Sequence, residues 1–311
     1  MAASKANGAD AGGAWWWWPS WLALGRSRTH PDLVEAMQEA RRVCGELYNI
    51  RLNRGSSSNE KREAIVCLVG ATSCGKSALI KSLIRMPYYD NTIEVKPTAH
   101  TTLKPSQQRI LDDDNNVLHI IDLPGTHGVL PPGYDASRDR PFLDQLDQIV
   151  QECCRHADIV LYCYSNRVIT DDIKKDVESL YAARKPESIY GVLTKADLWL
   201  DNYTEESNKR VLEDHKLQLK LKRVPFPTTC IGYDDEAKHY GQTRIEGVDD
   251  LRLALVRELD SMKLLAPEFL ERLKSGEYNE RMFIVVGTVV AVPIAILGII
   301  AVAAVASEGG V

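Results

Sequence analysis

The sequence predicts an α/β fold in which a mostly parallel six-stranded sheet is covered by helices on both faces. Between residues 59 and 262, short apolar runs typical of buried strands alternate with stretches whose apolar residues recur at helical spacing. Such alternation favours parallel strands joined by crossover helices. A chain of 311 residues with 44% hydrophobic and 26% charged residues is also typical of a globular protein.

The strands and helices of this α/β domain are expected in a regular order. The strands are predicted at Ala64–Val69, Leu103–Leu111, Val117–Asp122, Asp158–Ser165, Ser188–Thr194 and Thr228–Gly232. The helices are predicted at Lys76–Arg85, Phe142–His156, Asp171–Arg184, Glu205–Lys222 and Val248–Met262. A short turn joins the second strand to the third, so we expect the second strand to be an antiparallel edge strand.

The remaining residues divide into five segments around the α/β domain at 59–262. Apolar residues recur every three to four positions from Pro31 to Asn53, which predicts an amphipathic helix. The segments are a flexible N-terminus with Trp-rich residues (1–29), this helix and a linker (30–58), a helical connector (263–282), a transmembrane helix (283–306) and a short tail (307–311).

The transmembrane prediction depends on Phe283–Ala306, a segment without a charged residue. As a helix it would be about 36 Å long, enough to cross a hydrocarbon core of about 30 Å. Arg281 and Lys274 precede it and no cation follows it, which agrees with the positive-inside rule. We expect a single-pass anchor with the α/β domain facing the cytosol, on an organelle that the sequence does not specify. A very apolar helix buried in an oligomer, or a half-inserted hairpin bent at Pro293, are the alternatives.

The Trp-rich segment Trp15–Leu24 is too short to span a bilayer. Because Trp favours the headgroup region of a bilayer, one interpretation of this segment is a peripheral membrane contact, and the other is packing on a protein surface.

The charge balance argues against nucleic acid as a partner, because 38 Lys and Arg residues are outnumbered by 43 Asp and Glu residues. The seven cysteines are scattered and odd in number, which favours reduced thiols over a disulfide framework.

The most specific motif is GATSCGKS at Gly70–Ser77, which matches the phosphate-binding pattern GxxxxGK[ST] between a strand and a helix. Its glycines allow backbone N–H groups to close around phosphates at a helix N-terminus. Lys76 would reach the β- and γ-phosphates as a catalytic cation, and the Ser77 hydroxyl would bind Mg²⁺. The nucleotide contacts expected in this motif and just after it are Gly70, Ser73, Cys74, Gly75, Lys76, Ser77 and Ala78. A helix N-terminus also lowers a thiol pKa, so Cys74 is a redox candidate, although a small residue that merely fits the loop is the favoured interpretation.

Two further motifs follow strands of the same sheet. Asp122 opens the sequence DLPG, where a carboxylate would hold Mg²⁺ through water and Gly125 would offer its N–H to a γ-phosphate. Thr194, Lys195 and Asp197 form the pattern [NT]KxD. The Asp197 carboxylate would accept hydrogen bonds from the guanine N1–H and 2-amino groups, which adenine lacks. GTP or GDP with Mg²⁺ are therefore the expected ligands.

Together, these three motifs resemble the G domain of the translation-factor-like (TRAFAC) GTPases, a P-loop NTPase three-layer sandwich, over about residues 60–262. The stretch PTAHTT at Pro97–Thr102 resembles the switch of the Era, septin and dynamin relatives. That resemblance implies that Thr102, or else Thr101, binds Mg²⁺ and acts in catalysis. It also implies a base-packing loop at Thr229 and Cys230. Ser73 resembles the dynamin-like pattern rather than the Asn usual in Era relatives.

The residues that would position the attacking water are the least defined part of the site. Thr126 takes the place of the usual Gln directly after DxxG and is too short for the same role, and His127 follows it. We retain both as catalytic candidates and expect slow intrinsic hydrolysis, with the loop Gly128–Pro141 as the second switch. The leading hypothesis is a tail-anchored GTPase switch whose partners are the membrane and either a homodimer or an effector or activating protein. A nucleotide-bound scaffold without hydrolysis, and an ATPase or kinase, are the alternatives.

Overall fold

The computed structural model describes residues 31–54, 61–85, 104–126, 134–183, 188–231, 244–276 and 282–287. Seven strands of this part form one sheet in the order β6-β5-β4-β1-β3-β2-β9. They are β1 (Arg62–Gly70), β2 (Ser106–Asp112), β3 (Asn116–Asp122), β4 (Ile159–Tyr164), β5 (Ile189–Leu193), β6 (Phe226–Pro227) and β9 (Met282–Gly287). A separate two-stranded ribbon pairs β7 (Thr229–Ile231) with β8 (Arg244–Glu246).

The strand directions confirm the predicted mostly parallel sheet. The pairs β3–β1, β1–β4, β4–β5 and β5–β6 are parallel, whereas β2 is antiparallel to β3. The central strands are buried on both faces, which explains why they read as continuous apolar runs rather than alternating ones. All carboxyl ends of the parallel strands therefore lie at one end of the sheet, which we call the nucleotide end.

The helices form a layer on each face of the sheet. One hydrophobic core lies under α1 (Pro31–Asn53), α3 (Ala136–His156), α4 (Asp171–Ala183) and α6 (Glu205–Gln218). The other lies under α2 (Lys76–Leu83), α7 (Val248–Met262) and α8 (Pro267–Ser275). A one-turn helix α5 (Asp197–Leu200) follows β5. This is the three-layer arrangement that the alternating pattern predicted.

The predicted amphipathic helix α1 has the predicted bounds and packs into the same core as the sheet. Its buried face includes Leu33 and Leu47 and lies against α3. Just beyond its C-terminus, Arg54 forms two 2.6 Å hydrogen bonds with the Asp158 carboxylate, which also accepts the Ile65 N–H at 2.8 Å. The helix is thus tied to β1 and to the start of β4.

The sequence prediction was wrong about the residues that follow α8. Met282–Gly287 form β9, which pairs antiparallel with β2 as a seventh strand, so the first residues of the predicted transmembrane helix belong to the sheet. The reason is that β-branched apolar residues such as those of the segment MFIVVG suit a buried strand as well as a membrane helix. Within the described residues, no helix has the length and apolar character needed to cross a membrane. The rest of the predicted span, 288–306, and the Trp-rich segment lie outside the described residues.

Two smaller corrections concern element boundaries. The predicted sixth strand, Thr228–Gly232, is divided in the structure, because Phe226–Pro227 continue the sheet while Thr229–Ile231 pair with β8. Helix α3 begins at Ala136 and not at Phe142, since the Asp135 side chain caps it by accepting the Ser137 and Arg138 N–H groups at 2.9 Å. Part of the loop predicted as the second switch is therefore helical.

Candidate functional site

The candidate site begins where β1 turns into α2 at the nucleotide end of the sheet. Gly70 has a φ of +141°, and a Cβ placed there would lie 1.9 Å from the Cys163 main-chain oxygen, so only glycine fits. Gly75, with a φ of +97°, makes the second sharp turn and begins α2. Between them Ser73 is exposed and also has a positive φ of 61°. These conformations bend the loop Gly70–Gly75 into the compact turn that the motif predicted.

Lys76 and Ser77 project from the first turn of α2 into the mouth of this loop. The Lys76 ammonium donates to the main-chain oxygens of Gly70 and Ala71, both at 3.0 Å, and its side chain is buried. The Ser77 hydroxyl donates to the Asp122 carboxylate at 2.5 Å. Ala78 follows in the same turn of α2. The loop, the cation and the carboxylate thus form one connected group.

Asp122 provides the observation that tests whether Mg²⁺ fits this site. Its Oδ2 accepts the Ser77 hydroxyl, whereas its Oδ1 is buried and has no hydrogen-bond partner among the described residues. Burial raises the pKa of the Asp122 carboxyl, although Lys76 and the Ser77 hydrogen bond oppose the shift. A buried carboxylate oxygen without a partner is costly unless a cation balances it. A carboxylate and a hydroxyl are also the hard oxygen ligands that Mg²⁺ prefers, so these two residues fit a Mg²⁺ site.

The DLPG segment lies directly against the phosphate loop. The Thr126 N–H donates to the Gly70 oxygen at 3.2 Å, and a Cβ on Gly125 would lie 2.5 Å from the Thr72 hydroxyl oxygen. Gly125 is therefore in contact with the loop that would hold phosphates. A side chain at this position would push the two segments apart.

The Thr126 side chain is turned away from the loop into the protein. It is buried, and its hydroxyl donates to the Asp176 carboxylate of α4 at 2.7 Å. The Tyr162 hydroxyl donates to the same oxygen at 3.1 Å. Sequence reasoning missed Asp176, although an acidic residue beside the buried positions Ile173 and Val177 of α4 was a signal that it has an internal partner.

The TKAD motif meets the phosphate loop from the end of β5. The Thr194 hydroxyl donates to the main-chain oxygen of Cys74 and also lies 3.1 Å from that of Tyr164. Lys195 is exposed and has a positive φ of 54°, and the Asp197 N–H donates to the Thr229 hydroxyl at 3.2 Å. The structure thus brings the phosphate loop, TKAD and Thr229 at the start of β7 together.

The cysteines of the site do not fit a redox role. Cys74 is buried in the phosphate loop, and burial raises the pKa of its thiol instead of lowering it as the helix N-terminus suggested. Burial likewise raises the pKa of Cys230 to about 11. Burial thus favours the protonated form of both thiols. Two predicted catalytic residues, Thr102 and His127, lie outside the described residues.

Comparison with known families adds one match, which falls on this site. Residues 65–195 match the model of a family described as 50S ribosome-binding GTPase. The matched region contains the phosphate loop and the DLPG segment, and it ends within TKAD. It supports a P-loop GTPase G domain in this part of the chain. A search of curated protein sequences gave no match.

Several solved structures resemble the chain at low identity. A variant of Aquifex aeolicus Era bound to GDP·AlF4⁻ is 18% identical with a TM-score of 0.39, covering 54% of this chain and 52% of that one. Era in complex with MgGDPNP and 16S ribosomal RNA nucleotides is 17% identical with a TM-score of 0.43, covering 55% and 52%. A probable GTP-binding protein engB is 15% identical with a TM-score of 0.42, covering 64% and 100%. The chain spans about half the length of the two Era structures.

Proposed function

We propose that this chain is a membrane-anchored switch that binds GTP and GDP with Mg²⁺ and hydrolyses GTP slowly on its own. The observation that carries the proposal is the meeting of three motifs at the nucleotide end of the sheet. There the phosphate loop contacts Gly125 on one side and Thr194 on the other. One buried carboxylate oxygen of Asp122 has no hydrogen-bond partner among the described residues, and a cation would fit there.

The phosphate half of the site would work by positioning and by charge. Lys76 is held at the mouth of the loop by main-chain oxygens, from which its ammonium can be drawn to the β- and γ-phosphates. Ser77 and Asp122 would hold Mg²⁺, which when bound neutralises charge on the phosphate oxygens. Gly125 lies against the loop, so its N–H would donate a hydrogen bond to a γ-phosphate in the GTP state and lose that bond in the GDP state.

The base half of the site would select guanine. The Asp197 N–H donates to the Thr229 hydroxyl, which holds the Asp197 main chain beside the start of β7. The Asp197 carboxylate would accept two hydrogen bonds from guanine, and binding adenine would leave it without these donors. This favours a GTPase over the ATPase and kinase alternatives.

Slow hydrolysis is proposed because the Thr126 hydroxyl is already bonded to Asp176. The residue directly after DxxG is therefore not available to orient an attacking water through its side chain. Thr102, His127, a second copy of the chain, or an effector or activating protein would have to supply that group.

Membrane anchoring is proposed for a shorter segment than the sequence first indicated. After β9, residues 288–306 are 19 in number and carry no charge. As a helix they would be about 29 Å long, close to the hydrocarbon thickness of about 30 Å. A single span would leave the G domain on the cytosolic side.

The proposed function is tested by single-turnover phosphate release from GTP with the full chain in lipid vesicles. We expect slow release that Lys76→Ala abolishes, whereas the matched control Lys209→Ala, on the exposed face of α6, leaves it unchanged. GTP binding without any phosphate release would overturn the hydrolase and favour a nucleotide-bound scaffold. Failure to bind GTP or GDP would overturn the whole proposal.

A further inference from the structure

We infer that the nucleotide end of the sheet faces the lipid bilayer, because β9 delivers the uncharged C-terminal segment to that end. The inference rests on the proposed membrane anchor and adds an orientation to it. Since β9 is antiparallel to β2 and β2 is antiparallel to β3, β9 runs parallel to β3 and β1. Its last residue therefore lies at the end of the sheet where the phosphate loop and DLPG begin.

The register places this exit point close to the site. Gly287 is opposite Gln107, and Gln107 is opposite Ile121, the residue before Asp122. Neighbouring strands are about 4.8 Å apart, so two spacings separate Gly287 from Ile121 by about 10 Å. The chain thus leaves the sheet beside the proposed Mg²⁺ site.

The length of chain after β9 leaves no spacer between the sheet and the membrane. The 19 uncharged residues of 288–306 reach about 29 Å as a helix, so nearly all are needed to cross about 30 Å of hydrocarbon. Residues that are needed inside the bilayer cannot form a linker. With the proposed anchor, the end of β9 would therefore lie near the headgroups.

The two ends of β2 carry side chains that reach the surface. Just before its first residue, at the nucleotide end, lies Lys104, which is partly exposed and pairs with Glu35 at 2.6 Å. At the far end, the turn after β2 exposes Asp113 and Asp114. Both positions are therefore accessible to a fluorescent label.

The test compares fluorescent labels at the two ends of β2 in the full chain reconstituted in vesicles whose lipids carry a headgroup nitroxide quencher. The variants are Lys104→Cys and Asp114→Cys, which flank β2, and the strand from Ser106 to Asp112 is about 20 Å long at about 3.4 Å per residue. Six native cysteines are buried and Cys230 is partly so, and the unmodified chain gives the background labelling. We expect at least threefold stronger quenching at position 104 than at position 114. Equal quenching, or stronger quenching at 114, would overturn the orientation.

Two controls separate the orientation from the anchor. Insertion of a ten-residue Gly/Ser linker after Gly287 should lift the domain by about 17 Å and remove most of the difference between the labels, and an unchanged difference would contradict the inference. If the full chain is released from vesicles by alkaline carbonate, the anchor and the orientation both fail. GDP binding measured on the same samples then shows whether the nucleotide site stands independently of them.

Discussion

Thr194 connects the guanine-reading motif to the phosphate loop, and its replacement gives the sharpest prediction about the site. Its hydroxyl donates to the Cys74 main-chain oxygen inside the loop, and its main-chain N–H donates to the Tyr164 main-chain oxygen at 2.8 Å. The substitution Thr194→Val keeps the shape and the N–H but removes the hydroxyl. The Cys74 oxygen then loses this donor in a buried place.

The expected loss follows from the cost of leaving a buried carbonyl without a donor. That cost is about 1 to 3 kcal/mol, and it falls on the free energy of unfolding because the hydrogen bond is already present without nucleotide. Thr194→Ser is the matched control, because serine keeps the hydroxyl and loses only a methyl group. Urea unfolding without nucleotide measures the free energy of unfolding of both variants. The reasoning is refuted if Thr194→Val is as stable as the unmodified chain, or if Thr194→Ser loses as much stability as Thr194→Val.

Three further predictions concern stability. Gly70→Ala should lower the free energy of unfolding by more than about 2 kcal/mol, because its Cβ meets a main-chain oxygen at 1.9 Å, whereas Gly45→Ala in α1, with nothing within 4 Å, should raise it by about 0.5 to 1 kcal/mol. Burial lowers the pKa of His119, although the neighbouring Glu63 opposes the shift, so the folded state favours the neutral ring. The free energy of unfolding should therefore fall as the pH drops below about 6.5. In urea titrations at different pH values, His119→Gln should flatten this dependence. A chain ending at residue 281 should be less stable than one ending at 287 by about 2 kcal/mol or more, since it loses β9 and the buried Met282.

Each of these three has an outcome that would contradict it. A Gly70→Ala protein as stable as Gly45→Ala would mean that the loop does not hold the described conformation. A pH dependence unchanged by His119→Gln would assign it to other groups. Equal unfolding midpoints for the chains ending at 281 and 287 would show that β9 does not contribute to the sheet.

The sheet and the nucleotide motifs were predictable because their signals are local. An apolar run followed by GATSCGKS or TKAD specifies a strand, a turn and the chemistry at its end, and the parallel arrangement brings those ends together. The contact between Thr194 and the loop was not predictable, because it joins residues 120 positions apart in the chain. The same holds for the Thr126–Asp176 hydrogen bond, which only the packing of α4 against the sheet creates.

The C-terminal segment shows where composition alone misleads. MFIVVG and the residues after it up to 306 carry no charge and include a single polar side chain, Thr288, so the composition does not separate the strand from the rest of the segment. A place at the edge of a sheet and a place in a bilayer both favour such residues, and only pairing with β2 distinguishes them. The cations Lys274 and Arg281, which the sequence placed beside the span, are separated from residue 288 by the whole of β9.

The central claim is that Asp197 reads a guanine base beside the phosphate loop, and a change of base preference tests it most directly. Replacing the carboxylate by an amide in Asp197→Asn turns an acceptor into a donor, which suits the 2-oxo group of xanthine and no longer suits the 2-amino group of guanine. In thermal unfolding with Mg²⁺, the unmodified chain should be stabilised by GDP and not by ADP, and Asp197→Asn by xanthosine diphosphate and not by GDP. Stabilisation of the unmodified chain by ADP, or an Asp197→Asn variant that still prefers GDP, would contradict the account.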